Sequence, residues 1–206
     1  MNTVELFSGT GSFSKVALSK GYKIFRVEIN NHFESELQSN ILDVIKIDLP
    51  KKIDILWASP PCTSFSVASI GSSWCGNYSP KRSKTALGMA YVLKTLELIK
   101  EIQKTNPDLI WFIENPRGVL RKMGFMEGLH RKGITYCQYG DNRMKPTDIW
   151  TNLESWTPRP MCKNGSPCHV AAPRGSRTGT QGLKNNMERS IIPPALFEEI
   201  FGVIEK

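Results

Sequence analysis

The chain has 206 residues, 40% of them hydrophobic and 22% charged, with a formal net charge of +8. That length holds one domain with a full core and at most a small appendage, and the composition is that of an ordinary soluble globular protein. No apolar run approaches the ~20 residues of a bilayer span and the first residues lack the basic-then-apolar pattern of a leader, so an intracellular location and no membrane partner are expected.

Thr3–Phe7 reads as a short apolar strand, and Phe13–Lys20 as a helix closed by Gly21 at its C-terminal cap. Tyr22–Ile29 is strand-like, Asn31–Ser39 predicts a helix, and Val44–Ile47 a third short strand. Ile53–Ala58 is a fourth, apolar as a strand buried on both faces is. The stretch from Thr63 to about Thr85 is rich in Gly and Ser, carries Lys81, Arg82 and Lys84, and reads as a long loop. Ala86–Gln103 is an amphipathic helix, with Leu87, Ala90, Tyr91, Leu98, Ile99 and Ile102 at helical spacing. Leu109–Ile113 is a fifth strand, Arg117–Arg131 predicts a helix, and Ile134–Tyr139 with Thr147–Thr151 a final strand pair. Periodicity then fails until a terminal helix over Pro194–Glu205. Strands alternating with helices imply an α/β fold whose largely parallel sheet is covered on both faces. The expected division is 1–152 as the main domain, 153–190 as a small irregular region and 191–206 as a returning C-terminal helix.

Phe7-Ser8-Gly9-Thr10-Gly11 lies between the first strand and the first helix, where glycine lets backbone approach a ligand and a helix N-terminus offers free N–H groups. Glu28 ends the second strand, about twenty residues on, where a carboxylate can accept two ribose hydroxyls. Asp48, after the third strand, can accept from an adenine amino group. Three such groups at successive strand C-termini fit the placement of ligand sites in open α/β sheets. The absent third glycine argues against a dinucleotide site.

Cys62 follows the fourth strand directly after Pro60 and Pro61, which stiffen its approach. A thiol there gains nucleophilicity from nearby cations or a helix N-terminus. Glu114 ends the fifth strand, beside Asn115; a desolvated glutamate can stay protonated and donate to a ring nitrogen.

Leu6-Phe-Ser-Gly-Thr-Gly11, Ser59-Pro-Pro-Cys-Thr-Ser-Phe-Ser66 and Glu114-Asn-Pro116 together resemble motifs I, IV and VI of the cytosine-5 DNA methyltransferases, in order and at family-like separations. Tyr139-Gly-Asp-Asn-Arg-Met-Lys145 is similar to motif VIII, one residue short and with Lys145 for the second arginine. Ile192-Pro-Pro-Ala-Leu-Phe-Glu-Glu-Ile200 is similar to motif X. Thr63 stands where the family has glutamine after the cysteine, and Pro116 where it has valine. The resemblance implies a Rossmann-like class I methyltransferase fold, a mostly parallel seven-stranded sheet with helices on both faces and a small irregular subdomain. It implies S-adenosyl-L-methionine as donor, held by Phe7, Ser8, Gly9, Thr10, Gly11, Glu28, Ile29, Asp48, Leu49 and Pro60. It further implies duplex DNA as substrate, Cys62 attacking C6 of a flipped-out cytosine, Glu114 bonding its N3 and amino group, Asn115 bracing the Cys62 loop, and Arg143 and Lys145 holding base and phosphate. Ser64, Ser66, Lys81, Arg82, Lys84, Arg174 and Arg177 are the expected nucleic-acid contacts. RNA as the substrate, or a non-catalytic binding subunit completed by a second chain, are the alternatives. The small size fits a mobile element or a virus.

From Trp156 to Arg189 six basic residues face one acid, Glu188, a balance suited to phosphates. Five cysteines, an odd number, argue against a disulfide framework. Cys162, Cys168 and His169 suggest a structural zinc in a region too small for its own core, with Cys137, Cys75 or His130 as the fourth ligand.

Overall fold

Strand β1 (Asn2–Leu6) lies between β2 (Lys23–Glu28) and β4 (Ile55–Ala58), parallel to both, with Leu6 in register with Val27 and Ala58. The computed structural model, which describes residues 1–171 and 185–206, extends this trio to a seven-stranded sheet in the order β3-β2-β1-β4-β5-β7-β6. β3 (Leu37–Gln38) is a two-residue edge parallel to β2. β5 (Ile110–Pro116) runs parallel to β4, while β7 (Pro146–Thr151) is antiparallel to both β5 and β6 (Arg131–Thr135).

Parallel neighbours need crossovers. Helix α1 (Ser12–Ser19) joins β1 to β2, and α3 (Ser83–Gln103) lies between β4 and β5 in the chain. The side-chain alternation of β4 separates two cores. Leu56 and Ala58 pack with Val92, Leu98, Ile99 and Ile102 of α3. Ile55 and Trp57 pack with Phe13 of α1 and with Phe197 and Phe201 of the last helix, α5 (Pro194–Ile204). Trp57 stands edge-on to Phe197 with ring centroids 4.8 Å apart. Burial of side chains this large supplies roughly 1.5–3 kcal/mol each, so the C-terminal segment is a structural part of the sheet's cover.

The regular pattern fails where short polar side chains and glycines intervene. Residues 31–36 form turns and irregular chain, and 37–38 the edge strand, rather than the expected helix: Asn30 Oδ1 accepts from the His32 N–H at 3.0 Å, an Asx turn that competes with helical bonding. The strand expected at Val44–Ile47 is instead a bend leading into a 3₁₀ turn, Lys46–Asp48. Arg117–Arg131 is not a helix but two 3₁₀ turns, Val119–Lys122 and Gly124–Met126, the second followed by Gly128 at φ 78°. Only Ile134 and Thr135 of the strand expected to Tyr139 are extended; Tyr136–Tyr139 is a 3₁₀ turn closed by Gly140 at φ 87°. The segment read as a loop holds 3₁₀ turns at Cys62–Ser64 and Val67–Ser69 and the short α2 (Ile70–Ser73). Its anchor is Trp74, buried against Phe65 and donating to the Ser64 carbonyl at 2.6 Å. Among the described residues, no helix is long and apolar enough to cross a membrane.

Candidate active site

The C-terminal ends of β1, β2, β4 and β5 converge on one edge of the sheet, and the residues of interest stand there. After β1 the chain turns through Phe7 (φ 59°), Gly9 (φ 47°) and Gly11 (φ 67°) before α1 begins. Glu28, at the end of β2, holds this turn: its carboxylate accepts from the Gly9 N–H at 2.8 Å and from the Ile29 and Asn30 N–H groups at 3.0 and 2.9 Å. Beside it opens a cleft of about 260 Å³ lined by Phe7, Glu28, Ile29, Asn40, Pro61 and Tyr91, among others. The Phe7 and Tyr91 rings lie 5.9 Å apart in its wall.

Asp48, Leu49 and Pro60, all expected in the cleft, lie elsewhere. Asp48 is exposed and accepts from its own turn, Ile45 N–H at 2.8 Å, while Leu49 is buried in the core. Their places are taken by Asn40 and Ile41, because the third strand ends at Gln38 rather than after Ile47. Pro60 is buried and does not line the cleft; Pro61 does.

Ala58 of β4 is in register with Ile113 of β5, so the Pro60–Cys62 turn and Glu114 leave neighbouring strands side by side. Cys62, half-buried, begins a 3₁₀ turn. Burial pushes its thiol above the ordinary value; the Lys145 ammonium opposes this and the Glu114 carboxylate adds to it. Burial likewise pushes the Glu114 carboxyl up, against Lys145 and the Tyr136 hydroxyl. Burial lowers Lys145, against the pull of Glu114 and Cys62. Three groups that shift one another in this way lie within electrostatic reach of one another.

Tyr136, absent from the sequence reading, joins the trio. Its hydroxyl donates to Glu114 Oε1 at 3.0 Å and accepts from Lys145 Nζ at 3.3 Å, and Lys145 Nζ lies 4.4 Å above its ring. Lys145 occupies a left-handed backbone position, φ 27°, a strained conformation of the kind that surrounding structure must impose. No pattern marks Tyr136 in the sequence, since it looks like one more apolar residue of a final strand.

Arg143 departs from its expected contact with base and phosphate. It is 4% exposed; its Nε donates to Asp141 at 2.8 Å, and its terminal nitrogens reach the carbonyls of Glu188 at 3.0 Å and Ile191 at 3.1 Å. It is a strut holding the segment after α4 (Asn186–Ser190), and Lys145 Nζ joins it by donating to the Arg189 carbonyl at 3.1 Å. Ser64 and Ser66 also face inward: Ser64 Oγ donates to the Lys84 carbonyl at 3.3 Å, and Ser66 Oγ pairs with Ser69 Oγ at 3.3 Å. Lys81, Arg82 and Lys84 are exposed near the start of α3, with Lys81 Nζ donating to the Gly71 carbonyl at 2.9 Å. Arg174 and Arg177 lie outside the described residues.

Residues 1–124 match the family model described as C-5 cytosine-specific DNA methylase. The chain belongs to that family. A probable DNA (cytosine-5)-methyltransferase of Frog virus 3 (isolate Goorha) is 28% identical over 97% of this chain and 98% of its own length. Among solved structures, the Entamoeba histolytica methyltransferase EhMeth superposes with a TM-score of 0.54 at 14% identity, over 79% of this chain and 57% of that one. The S. pombe Dnmt2 methyltransferase gives 0.53 at 15% identity, over 77% and 52%. The chain thus spans little more than half the length of these two, and the likeness establishes the Rossmann-like class I methyltransferase fold. In this cytosine-5 methylase the family model ends at Gly124, ahead of the Tyr136–Lys145 cluster and of everything after β7.

Beyond β7, Cys162, Cys168 and His169 converge as expected, and the fourth member of the cluster is Cys137. His130 instead pairs with Glu154 at 3.1 Å, and Cys75 is exposed in the loop before α3.

Proposed function

We propose that this methylase transfers a methyl group from S-adenosyl-L-methionine to C5 of a cytosine turned out of duplex DNA, through a covalent bond from Cys62 to C6. The observation that carries the reading is the junction of the Cys62 turn and Glu114 at the ends of neighbouring β4 and β5, fastened by Asn115 to the Pro60 carbonyl and joined by Tyr136 to Lys145, next to the cleft that opens at Phe7.

The cleft suits the donor chemically. Phe7, Ile41, Pro61 and Tyr91 offer apolar faces to an adenine, Glu28 offers acceptors to ribose hydroxyls, and Asn40 takes the polar role expected of Asp48. Left-handed backbone at residues 7, 9 and 11 makes a tight turn that brings the main chain to the cleft, and Ser8 Oγ is buried without a partner among the described residues. When bound, the donor supplies an electrophilic methyl group.

The chain's own residues prepare the base. Lys145 raises the thiolate fraction of Cys62, whose sulfur forms a bond to C6 as the C5–C6 double bond opens. The displaced electrons spread toward N3, where a protonated Glu114 donates a hydrogen bond. Tyr136 and Lys145 fix that carboxyl's orientation. Asn115 ties the Cys62 turn to β5 by donating to the Pro60 carbonyl at 3.0 Å. Once C5 carries the methyl group, its proton passes to solvent water, the C5–H electrons re-form the C5–C6 double bond, and the C6–S pair returns to Cys62 as thiolate. Because C6 is shielded in a stacked duplex, the base must leave the helix, at roughly a few kcal/mol. Lys81, Arg82 and Lys84, exposed near the start of α3, are assigned to its backbone, with Arg174 and Arg177 in the same role. Residues 1–152 act as the catalytic unit, 153–190 as the recognition region and 191–206 as the returning helix.

Labelled S-adenosylmethionine incubated with a cytosine duplex, and with a 5-fluorocytosine duplex as trap, tests the reading. The expected result is methyl transfer and a covalent adduct, both lost in Cys62→Ser. Transfer confined to transfer RNA moves the substrate to RNA. Absence of transfer to either, with a biological effect unchanged in Cys62→Ala, makes the chain a binding subunit for a second protein.

A further inference from the structure

The proposed chemistry leaves one cluster unused. The ligand atoms of Cys137, Cys162, Cys168 and His169 all lie within 4.8 Å of one another. We propose that these four residues bind a single zinc ion, and that the ion pins the start of the basic 153–190 region to the turn that carries Tyr136.

The two edges at His169 match a tetrahedral centre, while the Cys162–Cys168 edge of 3.2 Å is shorter than the about 3.8 Å that two Zn–S bonds span and would open as the ion enters. His169 Nδ1 is 3.6 Å from both Cys162 Sγ and Cys168 Sγ. With Zn–S of ≈ 2.3 Å and Zn–N of ≈ 2.0–2.1 Å, the S···N edge of a tetrahedron is about 3.6 Å. The Cys162 and Cys168 sulfurs are 3.2 Å apart, well beyond the ~2.05 Å of a disulfide bond. Three thiolates and one imidazole are a soft donor set that selects zinc over magnesium or calcium. The thiols bind as thiolates, so each releases its proton as the ion enters.

The cluster lies beyond the part of this segment that the core already holds: Trp156 is fully buried, and its Nε1 donates to Glu199 Oε1 at 3.0 Å. Within 152–171 there is no regular structure, and Cys168 is exposed while Cys162 is half-buried. From Met161 on, hydrogen bonds to the rest of the protein are few: the Cys162 N–H donates to Thr135 Oγ1 at 2.9 Å and the Val170 N–H to the Asn142 carbonyl at 2.8 Å. Between 162 and 171 no residue is buried, so burial does not fix this stretch. Cys137 supplies the link inward. It lies in the 3₁₀ turn Tyr136–Tyr139, next to the tyrosine whose hydroxyl reaches Glu114. The ion therefore joins the segment that leads into Arg174 and Arg177 to the turn beside the buried carboxyl.

The test uses the full chain purified without chelator, with metal content measured by plasma mass spectrometry. One zinc per chain is expected, lost in both Cys137→Ser and Cys162→Ser and kept in Cys75→Ser. Cobalt exchanged into the wild-type chain is expected to show the intense visible bands of a tetrahedral thiolate centre. A variant that failed to fold would also lose metal, so wild-type protein treated with a chelator is digested with trypsin alongside the untreated chain. Removal of zinc is expected to expose cleavage at Lys163 while the sheet retains its circular dichroism. A wild-type chain without stoichiometric zinc, a Cys162–Cys168 disulfide in place of two thiols, or zinc retained in Cys162→Ser overturns the proposal. None of these readouts depends on methyl transfer.

Discussion

Asn115 Nδ2 donates to the carbonyl of Pro60 at 3.0 Å, inside the protein, and so fastens the end of β5 to the turn that presents Cys62. The bond fixes the thiol's approach relative to Glu114, one residue earlier on the same strand. Asn115→Ala removes the donor and leaves a buried carbonyl unpaired, a loss of about 1–3 kcal/mol. A displacement of the sulfur on the order of 1 Å costs about 10²-fold in rate. The expected outcome is a much larger fall in kcat than in affinity for S-adenosylmethionine, checked by steady-state methyl transfer beside equilibrium donor binding.

Lys145 connects the electrostatics of the site to its pH dependence. Its charge holds both the Cys62 thiol and the Glu114 carboxyl below where burial alone would put them. Lys145→Gln removes that pull, so Cys62 becomes a thiolate only at higher pH. At a fixed pH below its pKa, the reactive fraction falls about tenfold for each unit of further rise. The rate at which iodoacetamide labels Cys62, followed by peptide mass spectrometry across pH, is expected to keep its shape and move upward. Lys145→Arg retains the charge and is expected to recover most of the shift. Tyr136→Phe is expected to raise Glu114 further, because the hydroxyl that favours the carboxylate is gone.

Much of this site was legible because its residues sit in stiff, local patterns. Two prolines before Cys62, and glycines at 9 and 11 with φ of 47° and 67°, announce a sharp turn and a close backbone approach. Glu28 and Glu114 stand at strand ends that hydrophobic runs mark well. What was not legible depends on side chains that stop an element rather than form one. The Asx turn at Asn30 and the short β3 moved the polar cleft residue from Asp48 to Asn40. Tyr136 and the inward turn of Arg143 depend on contacts between Glu114, Asp141 and the chain near residue 190, far apart in sequence. Periodicity carries no information about such meetings.

Gly118 fits against the loop that follows Cys62. Its neighbour Val119 donates its N–H to the Phe65 carbonyl at 2.8 Å, and Ser66 bridges Gly118 itself. A Cβ on residue 118 would run into that same Phe65 carbonyl, which is backbone and cannot swing aside. Gly118→Ala is expected to cost about 1–3 kcal/mol by forced displacement and to loosen Phe65 and Trp74. Denaturant unfolding measures the first effect. Faster hydrogen exchange confined to residues 62–82 measures the second, and exchange spread evenly over the sheet would contradict it.

Glu5 links stability to pH away from the chemistry. It is buried in β1, accepts from the Phe13 and Ser14 N–H groups at 3.3 and 3.0 Å, and burial pushes its carboxyl from 4.5 up to about 7. The unfolded chain loses this proton near 4.5 while the folded chain keeps it until about 7. Between those limits the folded state holds more protons, so this residue's contribution makes stability fall as pH rises, and it levels off above the folded value. A displacement of this size corresponds to about 3 kcal/mol at full extent. Glu5→Gln keeps one of the two acceptor oxygens for the start of α1 without the ionisation. The difference in unfolding free energy between Glu5→Gln and the wild type is expected to shift in favour of the variant from pH 4.5 to pH 7. A difference that stays flat across that range would mean that Glu5 ionises at its ordinary pH in the folded protein.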